Sequence, residues 1–253
     1  MTGEMRVGPA CPTSATPCLS VTGITGSATV RSTAVAPGQL VTLFGRGIGP
    51  DSGALFPPDV ASLPTRLGDT QVFFNGVAAP LLFAQANQVN AIVPFEVLGQ
   101  GDTANVQISH SGQMTQTVTV SVVKKQPGIF TIGGTGSGQA IVQNADGSLN
   151  SSSNLAAKGS TISILATGAG QTTPILPDGT FATDDSNRPR LRITVLIGGI
   201  GAEVVSARVP LGLFAGLIQV DVQIPAGAPS GPAVSLELGV GDVLSPPTTL
   251  AIQ

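Results

Sequence analysis

His110 is the chain's single histidine, so a search for catalysis starts there. It stands in Ile108-Ser109-His110-Ser111-Gly112, where an alternating strand runs into a turn, and no neighbouring carboxylate is placed to orient it. A serine nucleophile needs a base that a third group holds in place, so His110 is read as a turn residue. There is no Gly-x-Ser-x-Gly elbow and no His-Glu-x-x-His zinc helix. One His and two Cys fall short of a His/Cys zinc site. The glycine runs Gly45-x-Gly47-x-Gly49 and Gly134-x-Gly136-x-Gly138 lack the lysine of a phosphate loop and a following helix, and are read as turns. Asp184 and Asp185 are adjacent, so along a strand they would point to opposite faces and make no acid–base pair. The stretch Asp178–Asn187 offers oxygen ligands for calcium but lacks the spacing of a calcium loop, and is read as solvated. These residues predict no enzyme, no catalytic residue, no cofactor and no metal.

Cys11 and Cys18 frame six residues that include two prolines, Pro12 and Pro17. A metal-binding pair has two to four intervening residues and further ligands. The spacing instead suits a disulfide that closes a short loop, which belongs to an oxidising compartment. Asn150-Ser151-Ser152 is a glycosylation sequon, read as a polar loop. Lys124-Lys125 is read as a solvated pair between domains.

The elements that position these residues are strands. No stretch of a dozen residues combines a 3.6-residue apolar stripe with helix caps. Alternation dominates, as in Thr117-Val118-Thr119-Val120-Ser121-Val122, Val220-Asp221-Val222-Gln223-Ile224 and Val234-Ser235-Leu236-Glu237-Leu238. Turn clusters such as Asn144-Ala145-Asp146-Gly147 separate them. Composition agrees: 42% of the 253 residues are hydrophobic and only 10% charged, against about a quarter in an average soluble domain. The outward strand positions are filled by Ser, Thr, Gln and Asn instead. A net charge of −3 offers no basic face to nucleic acid. No apolar run approaches the ~18 residues of a membrane span. Met1-Thr2-Gly3-Glu4-Met5-Arg6 has no apolar h-region, so no signal peptide is read in this sequence.

The chain also repeats itself. Ala36-Pro37-Gly38 through Gly49 aligns with Ala157-Lys158-Gly159 through Gly170, Asn75-Gly76 through Leu82 with Gly198-Gly199 through Val205, and Gln88-Val89-Asn90 through Pro94 with Gln219-Val220-Asp221 through Pro225. A long-period duplication of strand units predicts two sandwich domains rather than a solenoid. The fold class is therefore all-β: two tandem Ig-like β-sandwich domains with an N-terminal extended arm. Residues 1–30 are the arm or first strand with its cysteine loop, 31–125 the first sandwich and 126–253 the second. The boundary is placed where Lys124-Lys125-Gln126-Pro127-Gly128 interrupts the alternation.

From about Val30 to the C-terminus, the ordered motifs resemble one family. They include Leu63-Pro64-Thr65-Arg66-Leu67-Gly68, Asn75-Gly76-Val77-Ala78-Ala79-Pro80-Leu81, Pro127-Gly128-Ile129-Phe130-Thr131, Ala166-Thr167-Gly168-Ala169-Gly170 and Pro225-Ala226-Gly227-Ala228-Pro229-Ser230-Gly231. They are similar to the Solibacter-type C-terminal domain of secreted acidobacterial proteins, and each half resembles IPT/TIG-type immunoglobulin-like domains. The resemblance implies an exported or cell-surface β module with no catalytic residues to carry over.

The function expected is that of a secreted structural protein that assembles with itself into a filament or surface layer. Its sheet edges have few charged guards, since the chain has three lysines. The segment around Leu19, Val21 and Ile24 alternates and would add as a strand to a neighbour's edge, or form the first strand of its own sandwich. The alternative function is a monomeric module that adheres to a carbohydrate, an extracellular matrix or another surface. Against it, the chain has no Trp or Tyr to make a sugar platform. The expected location is extracellular or the cell surface.

Overall fold

A computed structural model describes residue 11 and residues 17–31 and 34–253; residues 1–10 and 12–16 of the arm lie outside the described residues. The chain is built from strands, and the helical turn among the described residues is a single 3-10 turn at Phe95–Val97. The first half holds β1 (Cys18–Gly26), β2 (Leu40–Arg46), β3 (Ala54–Leu55), β4 (Thr70–Phe74) and β5 (Val77–Ala78). It continues with β6 (Leu81–Gln85), β7 (Gln88–Ile92), β8 (Thr103–His110), β9 (Gln113–Met114) and β10 (Val118–Ser121). The second half holds β11 (Gly128–Ile129), β12 (Val142–Gln143), β13 (Thr161–Thr167), β14 (Thr172–Thr173), β15 (Arg188–Pro189) and β16 (Ile193–Ile197). It ends with β17 (Ile200–Arg208), β18 (Leu217–Gln223), β19 (Gly231–Val240), β20 (Val243–Leu244) and β21 (Thr248–Ile252).

In the first half one sheet runs β1-β2-β7-β6-β3 and faces another of order β10-β8-β4-β5. Their inward residues, among them Leu43, Val72, Phe74, Leu81, Val89, Val106 and Ile108, form one core. The second half packs Ile162, Ile164, Val195, Ile197, Val220, Val222, Leu236 and Leu238 in the same manner. Strands such as β4 bury alternate residues, here Thr70, Val72 and Phe74, because side chains of an extended chain point to opposite faces.

The two halves share their register residue for residue. Leu40 pairs with Ile92 and Leu43 with Val89; in the second half Thr161 pairs with Gln223 and Ile164 with Val220. The hairpin partner agrees as well, including an irregularity that falls between Leu81 and Phe83 in one half and between Val204 and Ser206 in the other. One substitution separates the two topologies. Pro80 stands where the second half has Glu203, and proline has no N–H for a ladder. The first half therefore breaks into β5 and β6 in two sheets. The second half runs through as the single strand β17, which crosses from β16 to β18 and joins all its main strands into one sheet.

Two side-chain amides finish the sheet edges. Gln116 accepts from the Leu19 N–H at 3.4 Å and donates to the Leu19 carbonyl at 2.6 Å, in place of a missing strand. Asn150 does the same for Ala251, with both contacts at 2.9 Å. Asn150 is fully buried and also receives the Gln139 amide at 2.9 Å. Ser151 and Ser152 of the sequon lie in a polar turn as expected, but its asparagine is buried as a strand surrogate. Lys125 likewise departs from its expected solvation and forms an ion pair with Asp242.

Candidate functional site

The sequence pointed to three places: the cysteine loop with its strand, the acidic stretch at 178–187, and His110. Cys11 and Cys18 are joined in a disulfide with a Cα–Cα distance of 5.8 Å. The bridge sits at the head of β1, which pairs antiparallel with β2 of its own chain: Leu19 lies opposite Gly45 and Ile24 opposite Leu43. Leu19 and Ile24 are buried in the first core. Val21 falls within β1, and its side chain is outside the described residues. Of the two placements open for this segment, the structure thus displays the first strand of the chain's own sandwich.

The stretch at 178–187 divides: residues 183–186 are exposed as a solvated loop would be, while 178–182 fold into a seam between the sandwiches. Phe181 meets Phe214 edge-on at 5.6 Å and Phe56 at 6.1 Å. Around them Leu40, Leu63, Ile92 and Leu217 close an apolar cluster drawn from both halves. Backbone bonds stitch the same seam. The Leu63 N–H donates to the Gly179 carbonyl at 2.9 Å, and the Phe181 N–H donates to that of Ala61 at 3.0 Å. Across it the Leu40 N–H donates to Thr167 Oγ1 at 3.0 Å, and that hydroxyl donates to the Gly216 carbonyl at 2.6 Å. Gly179 adopts φ +63°, and a Cβ there would run into Pro80. That close approach gives the glycine its place.

Asp178 ends up half-buried at the rim of this seam. Its carboxylate accepts the Phe95 N–H at 3.1 and 3.2 Å. Burial pushes its pKa up to about 7, and the neighbouring Glu96 carboxyl adds to the rise. Asp184 instead caps the Ser186 N–H at 2.8 Å, and Asp185 caps that of Leu211 at 2.8 Å. The acidic residues are thus spent on separate turns. Among the described residues no three His, Cys, Asp or Glu side chains gather as metal ligands.

The densest polar cluster is one that spacing did not single out. Asp221 on β18 receives Ser163 Oγ and Gln219 Nε2 on one oxygen, both at 2.7 Å. Its other oxygen receives Ser206 Oγ at 3.0 Å and Arg208 at 2.5 Å. Burial alone would raise this carboxyl, but the four donors, Arg208 foremost, hold it below the usual range. The arrangement follows from register, since Ser163, Asp221 and Ser206 are cross-strand partners on one face of the sheet. A carboxylate with four donors is fully occupied, and neither serine has a free base beside it. The cluster clamps three strands. His110, at the end of β8, has Nδ1 at 3.1 Å from Thr70 Oγ1. That threonine is its cross-strand partner.

The chain is an all-β protein with one packed β core in each half. No family model matches it. No curated protein matches it. Among solved structures, the plexin A4 extracellular region (domains 1 to 10) aligns with 96% of this chain and 17% of its own length, at 13% identity and TM-score 0.29. A gamma-CGTase from alkalophilic Bacillus clarkii aligns over 92% and 26%, at 11% identity and TM-score 0.30. Domains 4–9 of the surface layer protein SbsC align over 91% and 30%, at 15% identity and TM-score 0.19. The chain spans less than a third of each of these structures, and the likenesses carry no functional weight.

Proposed function

We propose that the chain is a non-enzymatic extracellular structural module that assembles with its own kind by β-strand addition, into a filament or a surface layer. The observation that carries this reading is the construction of β1. It is an edge strand that pairs with β2, sets Leu19 and Ile24 into the core and is met by the Gln116 amide, while its disulfide lies within the arm and would move with it. Donated to a neighbour, it re-forms the same Leu19–Gly45 and Ile24–Leu43 pairs in trans, so the exchange conserves the contacts it breaks. The disulfide supports an oxidising location. The low charge lets chains approach one another with little repulsion. The occupied state of Asp221 and the dispersal of Asp178, Asp184 and Asp185 support a role without chemistry.

The test is light scattering and negative-stain microscopy of the full chain and of a chain lacking residues 1–30. Assemblies in the first and none in the second are expected. A monodisperse monomer in both overturns the reading.

A further inference from the structure

In both halves two strands start as a hairpin and then part, to separate sheets in the first half and to opposite ends of one continuous sheet in the second. The resulting fork exposes strand edges. In the first sandwich, where β4 leaves β5 and β6, the chain fills its own fork. Pro64 offers its carbonyl to the Leu81 N–H at 2.8 Å, and Leu67 exchanges backbone bonds with Thr70 at 2.9 and 3.0 Å. β3 continues the cover along β6, with Ala54 opposite Ala84 and Leu55 opposite Phe83. Leu63 and Leu67 are buried in the process, and so are Thr70 and Leu81 beneath them.

The second sandwich has the same fork, covered only at its far end, where the Val209 N–H donates to the Asn187 carbonyl at 2.9 Å and Arg188 Nη1 to that of Ala207 at 3.4 Å. β16 and β17 pair only as far as Val195 opposite Ala202 and then part. Beyond Ala202, β17 pairs only with β18 among the described residues. The first part of the connector goes to the seam, where Thr180 and Phe181 bind Ser62 and Ala61, and the stretch facing Val204 is left uncovered. What remains is a groove of ≈ 620 Å³ between the two parted strands, floored by Val195, Ala202 and Val204 and closed at one end by Leu244. Ile193 and Val204, the counterparts of buried Thr70 and Leu81, are only half-buried, and Leu244 is 50% exposed.

Charge distinguishes the two forks. In the first, Arg66 of the filler pairs with Asp69 on the wall at 3.1 Å. The place of Asp69 is taken in the second by Arg192. Each carbonyl accepts the turn N–H after the adjoining strand, from Ser111 at 3.1 Å and from Gly241 at 2.8 Å. Arg192 is exposed and makes no ion pair among the described residues. Glu203, in the place of Pro80, lies on the other wall. The charge at the Asp69 position is therefore reversed, and the opposite wall gains an acid.

We infer that the fork between β16 and β17 is a strand-acceptor site. Its occupant is an extended segment of a partner polypeptide, of Leu-Pro-x-acidic-Leu pattern, with the acidic side chain on Arg192. The segment enters as Leu63–Leu67 enters the first fork: its second carbonyl takes the Val204 N–H, and its leucines cover Ile193 and Val204. The inference rests on the strand-addition reading above for its mode of binding, and the fork is a second acceptor beside the β2 edge that takes β1.

The probe is a fluorescein-labelled peptide of residues 61–68, Ala-Ser-Leu-Pro-Thr-Arg-Leu-Gly, in native form and with Arg66→Glu. Its polarisation is followed as the full chain is titrated. The Arg66→Glu peptide is expected to bind about fivefold more tightly than the native one, from one exposed charge pair gained and one repulsion lost. Arg192→Glu in the protein should invert that preference. Leu244→Arg, at an exposed position that leaves the fold intact, should weaken both peptides about tenfold by obstructing the groove. Binding of neither peptide overturns the inference, as does a preference that survives Arg192→Glu. Peptide binding by a strictly monomeric chain upholds the acceptor and overturns the assembly reading. Assemblies that form while neither peptide binds do the reverse.

Discussion

Asp178 makes stability depend on pH in a direction opposite to the other perturbed carboxylates. Its pKa rises from 3.8 to about 7 in the fold, chiefly through burial and then through Glu96. Because the folded value lies above the unfolded one, the stabilisation is complete below about pH 4 and is lost as pH climbs through 7. At about 1.4 kcal/mol per tenfold change in proton affinity, the full rise corresponds to about 4 kcal/mol. The carboxyl is only half-buried and partly screened by water, which reduces this to roughly 1–2 kcal/mol. For a chain of this length that is a fall in Tm of roughly 3–6 °C between pH 4.5 and pH 8. Asp221 is shifted the other way, held low by its donors, and its contribution disappears only as pH falls below about 4. The melting temperature should therefore peak between these ranges. Asp178→Asn keeps an acceptor for the Phe95 N–H and cannot ionise, so its Tm should be nearly flat from pH 5 to 8. The assay is calorimetry or far-UV circular dichroism, since the chain has no Trp or Tyr for fluorescence. A variant with the same slope as the parent would refute the assignment of the slope to Asp178.

Three further outcomes follow from single contacts. Asn150→Ala leaves both backbone groups of buried Ala251 without their partner and should cost about 2–4 kcal/mol, read from urea unfolding. Gly168→Ala should cost about 3 kcal/mol or more by the same measurement, because the residue holds φ +79° and a Cβ would strike the Gln126 carbonyl. Reduction of Cys11–Cys18, which closes a loop of only a few residues, should lower stability by about 2 kcal/mol, seen as a lower Tm in a reducing agent.

Much of the fold was legible because both of its signals are local. Alternation of period two marks a strand whatever its partner, and the aligned segments around Leu40 and Thr161 carry the same register onto β7 and β18. The cysteine loop was readable from spacing. What sequence could not give was where turns go once two sandwiches are held together. Asp178–Phe181 has the composition of a solvated loop, yet Phe181 and Gly179 are committed to the seam by residues more than a hundred positions away. Asn150 has the pattern of a modification site, but its amide is claimed by Ala251 from the far end of the chain. The Asp221 cluster depends on cross-strand register, so no spacing along the chain announces it. The open fork became visible only when its filled counterpart was beside it.

The central claim, that β1 is exchanged between chains, is tested by a disulfide placed across its ladder. Thr25 on β1 lies opposite Thr42 on β2, so Thr25→Cys with Thr42→Cys bridges whichever two chains supply those strands. Cys11 and Cys18 both travel with β1 and stay bridged within one chain in either arrangement. Under oxidation and non-reducing electrophoresis of concentrated protein, exchange predicts a ladder of covalent multimers that collapses on reduction. A single band of monomer, with the engineered bridge fully formed, would contradict the account.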